Sequence, residues 1–440
     1  MNVSSHRIKV AVDLQRVFIT SSVELLGLVV HFYSSLSLPQ PFGEENSCSL
    51  VANTQRLSIV ESDILTQVLV VLTNSSGIMS EISLNDLPEE LVVNILQRLP
   101  VPVMCQMRCV CKRWNLLPRS PLYVNLSSQA TLEKPYLSFL VIERGQLALS
   151  LFSPRLGKWY KRPLTFLRNF FIFPTRECHF VAGHGGLFCI ASTVNDSCIF
   201  IVVNPISKRW RKLPPIPHQR PSFYFRGMHV DRKSRTYKLI VRGRIEGSDH
   251  WKTNVYDSAT QSWRVGSDMP PGFGNHLLVD CTFCNGKFYC FDNGRSNTLR
   301  AYDVCTGVWS EVEEWRSSLS GKFSFVKGYG GLMVWRQLGD WPFGLKNFEV
   351  MRLNQNSSEW VKVDTTPIET SLQAFFRITR FDLCTGAGDL AYFSIFEDRA
   401  VLVYDFAQQL WSLVLVCPKT VAGTCFDGVF ALNPGFDFPV

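Results

Sequence analysis

No apolar run in the 440-residue chain is long enough to cross a bilayer: the longest candidate, "VELLGLVVHFY" from Val23, is about half the roughly 20 residues a spanning helix needs. It follows a weakly basic start, but Asp13 and Glu24 and the lack of a clean cleavage site argue against a secretory signal. No Lys/Arg run is dense enough to indicate nucleic acid. No glycine-rich phosphate loop precedes a helix, and no nucleophile–base pairing stands out. The eight histidines are scattered, with only His179 and His184 close together. Cys281 and Cys284 form a lone CxxC without a second pair or a histidine cluster, so no zinc site is expected. These absences point to a non-catalytic protein without metal or cofactor, whose partners are neither nucleic acid nor membrane.

The fourteen cysteines do not read as a disulfide framework. Cys105, Cys109 and Cys111 share one helical pattern, and most others sit inside apolar runs such as "GGLFCIA" and "CNGKFYCF". Free cysteine is a common buried residue. This usage fits a reducing compartment, cytoplasm or nucleus. Hydrophobic content of 46% and aromatic content of 12% indicate a globular chain with ample core material. The net charge is +8, and residues 127–440 hold 36 Lys/Arg against 27 Asp/Glu. That excess describes either a mixed solvated surface or a face that prefers acidic partners.

Residues 1–78 hold short apolar bursts between Ser, Asn and Gly, without sustained periodicity. They are expected to lack a stable fold, as an extension upstream of a start at Met79. Order is expected to begin abruptly after Met79. Asp86 is a good N-cap, Glu89 can complete a capping box, and Pro88 sits in the tolerated first turn. Leu87, Leu91, Ile95 and Leu99 recur every four residues with Leu96 beside them, an apolar stripe that Pro100 and Pro102 end. Val103, Met107, Val110, Cys111 and Trp114 then trace one face of a second helix. Two such short helices cannot bury all this surface against each other, so part of it is meant for a partner.

From about residue 135 the dominant signal is repetition. Trp159, Trp210, Trp263, Trp309, Trp360 and Trp411 close similar segments at spacings of 51, 53, 46, 51 and 51 residues. "FSPRLGKW", "VNPISKRW", "YDSATQSW", "YDVCTGVW", "LNQNSSEW" and "YDFAQQLW" each describe a strand, a short turn and a tryptophan opening the next strand. Glycine-led strands such as "GHGGLFCIA" precede most of them. A period near 50 residues fits one four-stranded blade, with the ring filling the wedge between sheets. Six units predict a mainly β fold, a six-bladed propeller behind a small all-α module. The first unit lacks an innermost strand, and "TCFDGVFALNP" near residue 430 belongs to no unit. The predicted remedy is an exchange, with the late segment serving as the inner strand of the first blade.

The repeats resemble kelch repeats, and Leu87–Trp114, with "LPEEL", "ILQRLP" and "RCVCKRW", resembles an F-box. Together they resemble plant F-box/kelch-repeat proteins over about residues 80–440, with the F-box at 80–126 and a kelch-type propeller at 135–440. The resemblance implies a substrate-recognition subunit of a Skp–cullin–F-box ubiquitin ligase. Its F-box would dock a Skp-type adaptor, and through it a cullin, by way of Leu87, Pro88, Leu91, Ile95, Leu96, Leu99, Val110, Cys111 and Trp114. Its propeller would bind a substrate protein of unknown identity; a scaffold that binds partners without directing ubiquitination is the alternative. Loops between second and third strands are expected on one face, at 193–197, 243–253, 292–298, 336–347 and 396–399, with blade linkers such as 218–227. Arg336, Trp341 and Phe343 in the longest insertion, and Arg220 and Arg226 in that linker, are the candidate substrate contacts.

Overall fold

Period-2 strands separated by turns dominate the chain from residue 136 onward, and they assemble as antiparallel meanders. The computed structural model describes residues 89–98, 101–108, 112–124, 134–143, 146–170, 178–194, 197–217, 219–245, 250–270, 279–291, 298–312, 323–328, 331–338, 347–353, 360–367, 383–395, 400–415, 425–433, 435 and 440. The chain divides into two units, Met1–Leu99 and Pro100–Val440. Among the described residues no helix is long and apolar enough to cross a membrane. The expectation for residues 1–78 lies outside the described residues.

In the first unit, α1 spans Glu89–Arg98 with Glu89 and Glu90 in its first turn, where carboxylates complement the helix dipole. The second unit begins with α2 (Val101–Met107) and α3 (Lys112–Leu116). The single helix expected from Val103 to Trp114 is therefore two. Pro102 does not merely end the preceding helix; it occupies the second position of α2, where its missing N–H costs nothing. Tyr123 Oη approaches Met104 Sδ at 4.0 Å, and Arg108 Nε donates to Asn115 Oδ1 at 3.0 Å across the break.

Twenty-four strands follow among the described residues. In chain order they are β1 (Tyr136–Glu143), β2 (Gln146–Ser153), β3 (Lys158–Pro163), β4 (Cys178–His184), β5 (Leu187–Val194), β6 (Ser197–Asn204), β7 (Arg209–Lys212) and β8 (Gln219–Asp231). Then come β9 (Thr236–Ile245), β10 (Trp251–Asp257), β11 (Ser262–Asp268), β12 (Val279–Cys284), β13 (Lys287–Phe291), β14 (Leu299–Asp303), β15 (Trp309–Glu311) and β16 (Phe323–Gly328). The last are β17 (Gly331–Leu338), β18 (Asn347–Leu353), β19 (Trp360–Pro367), β20 (Leu383–Ala387), β21 (Leu390–Ile395), β22 (Ala400–Asp405), β23 (Leu410–Leu415) and β24 (Cys425–Leu432). Four sheets are four-stranded, ordered β24-β1-β2-β3, β4-β5-β6-β7, β16-β17-β18-β19 and β20-β21-β22-β23. The fifth is eight-stranded, two meanders joined where β8 and β12 pair in parallel at Val279↔Phe225 and Cys281↔Gly227. The arrangement is mainly β and propeller-like.

One turn design recurs between the third and fourth strands. Asn204 Oδ1 accepts from the N–H groups of Ile206 and Ser207, both at 3.0 Å. Asp303 Oδ1 does the same for Cys305 and Thr306, and Asp405 Oδ1 for Ala407 and Gln408. Asp257 Oδ1 accepts from Ala259, and Ser153 Oγ from Leu156. The departures from Tyr-Asp in "FSP" and "VNP" thus keep the one thing the turn needs, a short side chain with an acceptor oxygen. The turn closes in a left-handed residue: Gly157, Lys208, Gln261, Gly307 and Gln409 have φ of 61, 59, 54, 77 and 51°. Each stands two residues ahead of its tryptophan.

The tryptophans fill the wedge between neighbouring sheets. Trp263 packs on Phe200 of β6 at 5.3 Å and on Tyr256 of β10 at 5.4 Å, while its Nε1 donates to Pro214 O at 2.7 Å. Trp309 packs on Phe225 of β8 at 5.8 Å and Tyr302 of β14 at 5.2 Å, and donates to Thr253 Oγ1 at 2.8 Å. Core clusters accordingly straddle sheets, as where Val181 and Phe200 meet Leu239 and Tyr256.

The expected strand exchange is present. β24 pairs antiparallel with β1, with Tyr136↔Leu432 and Ser138↔Phe430 in register. Phe430 stacks on Phe180 at 5.2 Å and meets Phe188 at 5.6 Å, so it also joins the second sheet. Beyond β24, Asn433 N donates to Gly185 O at 2.6 Å and Asn204 Nδ2 donates to Gly435 O at 3.1 Å. Just ahead of β1, Lys134 Nζ bridges to Asp405 Oδ2 at 2.7 Å, and Tyr392 Oη donates to Pro135 O at 2.6 Å. The ends of the domain are therefore tied to the first, second and last sheets together.

Candidate functional sites: the helical module and the loop face

In α1, Val92, Val93 and Leu96 are buried. At 100° per residue, Leu91 and Ile95 lie about 130° around the helix from the centre of that buried group. The helix thus has two apolar faces, one of which the protein itself covers. Leu96 (1% exposed) belongs to the covered one, so it is core and not a presented contact. The side chains of Leu91 and Ile95, and all of Leu87, Pro88, Leu99, Val110 and Cys111, lie outside the described residues.

Trp114 is 3% exposed in α3, and Val101, Met104, Leu117 and Tyr123 are buried as well. Its expected role as a presented contact is therefore corrected to that of a core residue: an indole is the largest apolar group available to so small a module. Leu116, two positions on and hence about 200° around the helix, is 60% exposed. Sequence reasoning passed over it because "KRWNLLP" offers two adjacent leucines, of which Leu117 turns inward at 4% exposed.

Five of the loop segments named above lie between second and third strands. The segments around 195–196, 246–249, 292–297, 339–346 and 396–399 separate β5 from β6, β9 from β10, β13 from β14, β17 from β18 and β21 from β22. Trp341 and Phe343 lie outside the described residues, as do the side chains of Arg336, on β17, and Arg220, on β8.

Residues 219–227 of the expected linker lie in β8, and Arg226 is buried at 4% exposed. Its Nη1 donates to Phe180 O at 2.6 Å and its guanidinium lies 5.3 Å from the Phe180 ring centroid, fastening β8 to β4. Arg226 is thus a joint between sheets, and its expected role as a substrate contact is withdrawn. Arg242, also buried, sits 4.4 Å from the Trp251 ring and braces the base of the loop between β9 and β10.

Little in the described strands is poised for chemistry. Burial pushes the Cys198 thiol up to about 12 and raises that of Cys189 well above its ordinary value, so neither is a ready nucleophile. Burial, with Asp405 nearby, also raises the Tyr392 phenol, which spends its proton on Pro135 O. Among the described residues no group of three or more His, Cys, Asp or Glu could hold a metal ion.

A family model described as KIB1-4 beta-propeller matches residues 151–405, and one described as F-box domain matches residues 84–124. Three relatives from Arabidopsis thaliana are similar at low identity. The F-box/kelch-repeat protein At3g61590 is 24% identical, covering 79% of this chain and 90% of its own length. The F-box protein At5g49610 is 24% identical over 74% of this chain and 89% of its own. The F-box protein At1g47340 is 26% identical over about half of each, 51% and 52%.

Proposed function

Because the chain belongs to the KIB1-4 beta-propeller family and carries an F-box domain at residues 84–124, we propose that it is the substrate-recognition subunit of a Skp–cullin–F-box ubiquitin ligase. The observation that carries this reading is the pairing of the two domains in one chain. F-box proteins are in general non-catalytic adaptors that bind Skp-type partners, and a propeller offers a rigid platform of loops for a second protein. In this reading the adaptor contacts are Leu87, Pro88, Leu91, Ile95 and Leu99, with Val110 and Cys111. Leu116 is added to them as an exposed leucine beside the module's own core. Substrate would meet the loops between second and third strands, including Trp341 and Phe343, with Arg336 of β17 and Arg220 of β8 as further contacts. Cytoplasm or nucleus, where thiols stay reduced, is the compartment we assign.

We count the propeller as six-bladed and kelch-like, taking the eight-stranded sheet as two blades. What supports this count is the cycle of neighbouring strands β24, β4, β8, β12, β16 and β20, in which the last again borders the first.

The test is Leu91→Asp with Ile95→Asp in the full chain. A carboxylate buried without a partner is costly, and the pair should abolish capture of a Skp-type adaptor while the propeller's thermal transition is kept. Capture at wild-type strength by a folded double variant refutes the assignment of this face. A cullin in the wild-type pull-down supports the ligase; adaptor without cullin means a scaffold.

A further inference from the structure

Strands β3, β7, β11, β15, β19 and β23 each end a sheet, and among the described residues no strand pairs with their outer sides. A row of open N–H and C=O groups is a template for another strand, which proteins blunt with charge, proline, bulges or a short edge. Five of these edges are blunted. β3, "KWYKRP", carries Lys158, Lys161 and Arg162 and ends on Pro163, while β7 reads "RWRK". β11 carries Arg264 and Asp268, and its register with β10 shifts between Lys252 and Asn254. β15 is three residues long and ends in Glu311. β19 carries Lys362 and Asp364, ends on Pro367, and shifts register with β18 between Val350 and Met351.

β23 has none of these devices. Its sequence, "LWSLVL", holds no charge and no proline. Its register with β22 runs unbroken from Asp405↔Leu410 to Ala400↔Leu415. The strand is held from within: the Trp411 ring packs on Tyr404 at 4.9 Å and Phe393 at 5.5 Å, and Val414 packs against the core shared by the last and first sheets. Leu410 is 50% exposed and Ser412 is exposed. Side chains alternate along a strand, so Leu410, Ser412 and Val414 share one face and Trp411 and Leu413 the other. Apolar–Ser–apolar on the first face reads the same in both directions.

We infer that β23 is a docking edge for β23 of a second copy of this chain, the two strands pairing antiparallel about a two-fold axis and joining two four-stranded sheets into one. The axis keeps each face on its own side, so Leu410 meets the partner's Val414 and Ser412 meets the partner's Ser412. Apolar groups then stand opposite apolar groups, and no charge is buried in the strand pair. A copy of the same strand is the occupant because this edge is uncharged and complementary to itself, whereas two copies of β7 would set like charges together. Isologous pairing uses up both edges and stops at the dimer. The inference stands apart from the adaptor and substrate readings and does not rest on them.

The experiment is sedimentation equilibrium of the purified full chain. One strand a side is a small contact, so a reversible dimer with a dissociation constant of about 10 µM is expected, and the scan runs over about 1–200 µM. At about 0.15 M salt the long-range repulsion between two basic chains is largely screened. Ser412→Lys sets two ammonium groups across the axis and should weaken the dimer at least tenfold, as should Ser412→Glu. An equimolar mixture of the two should dimerise again at wild-type strength or better, which a folding defect in either would prevent. Leu410→Lys is a second variant that should weaken the dimer, while the same charge on another edge, Val265→Lys, should leave it unchanged. A chain that stays monomeric throughout overturns the inference, since the edge is then covered by its own chain or kept for another protein. Mass growing beyond the dimer, an equal loss in Val265→Lys, or a Lys/Glu mixture that stays monomeric also overturns it.

Discussion

Replacing Phe430 by alanine probes the strand exchange at its most connected side chain. Phe430 is 2% exposed and its ring meets Phe180 at 5.2 Å and Phe188 at 5.6 Å, both in the second sheet, while its backbone is paired to Ser138 in the first. Removing a buried phenyl costs about 3–5 kcal/mol through lost transfer energy and the cavity left behind. Here collapse is resisted, because β24 is held on one side by its ladder with β1 and on the other by the Ala431 N–H donating to Thr385 Oγ1 at 3.1 Å. A loss near 4 kcal/mol is expected, close to a thousandfold in the folding equilibrium at about 1.4 kcal/mol per decade. Urea unfolding of the full chain followed by tryptophan fluorescence measures it. Leucine at the same position, which refills part of the volume, should recover more than half. A loss below about 1 kcal/mol would refute the argument that this ring fastens two sheets. Deleting residues 425–440 removes the ladder as well and exposes the β1 edge; a truncated chain that stays monomeric and melts within a few degrees of wild type defeats the closure reading.

A Cβ on Gly183 would stand 2.4 Å from Phe430 Cδ2, so Gly183→Ala should destabilise by at least about 1–3 kcal/mol. Combined with Phe430→Ala it should cost less than the sum, and strict additivity in the double-mutant cycle refutes the contact. Gln409→Gly places glycine where the equivalent turns already hold Gly157 and Gly307; thermal melting should show a gain of up to about 1 kcal/mol, and a loss of that size contradicts the turn assignment. Acid should weaken the domain through its turn carboxylates. For Asp405 burial alone raises the pKa, but hydrogen bonds from Lys134 and from the N–H groups of Gln408 and Ala407 hold it below the ordinary value; for Asp303 the Thr306 and Cys305 N–H groups lower it. Folded pKa values depressed below the unfolded value of about 3.9 contribute stability that is full above it and lost as pH falls through the folded values. Asp405→Asn should therefore flatten the acid limb of the melting profile, at about 1 kcal/mol lost near neutrality; an unchanged acid limb counts against this account.

The elements that could be read directly from the sequence are those whose physics is local. An acceptor side chain, a left-handed residue and a tryptophan two positions later make a turn that recurs wherever the spacing recurs. The unpaired first meander and the orphan segment near residue 430 implied each other, because backbone groups at a sheet edge require partners. Residues 219–227 misled because β8 breaks period 2: its register with β9 shifts between Ser222 and Arg226, so the alternation along the strand is interrupted. Without that alternation an arginine reads as a surface group, and only the carbonyl of Phe180, 46 residues away, reveals it as a joint. In the helical module the apolar stripe was visible, yet a wheel alone does not say which apolar face the protein keeps for itself. Trp114 shows the ambiguity, since a large ring at helical spacing suits a core and an interface equally.

The strand exchange also sets a clock on biosynthesis. β1 ends at Glu143 and its partner β24 begins at Cys425. At roughly 5–20 residues per second, that separation keeps the β1 edge waiting for about 15–55 s on the ribosome. Throughout that interval the helical module has already emerged, while the platform behind it is an open arc with an unsatisfied strand. A nascent or prematurely ended chain would therefore carry a completed helical module ahead of an unclosed series of sheets. Its unpaired β1 edge is open to pairing with the edge of another chain until β24 arrives.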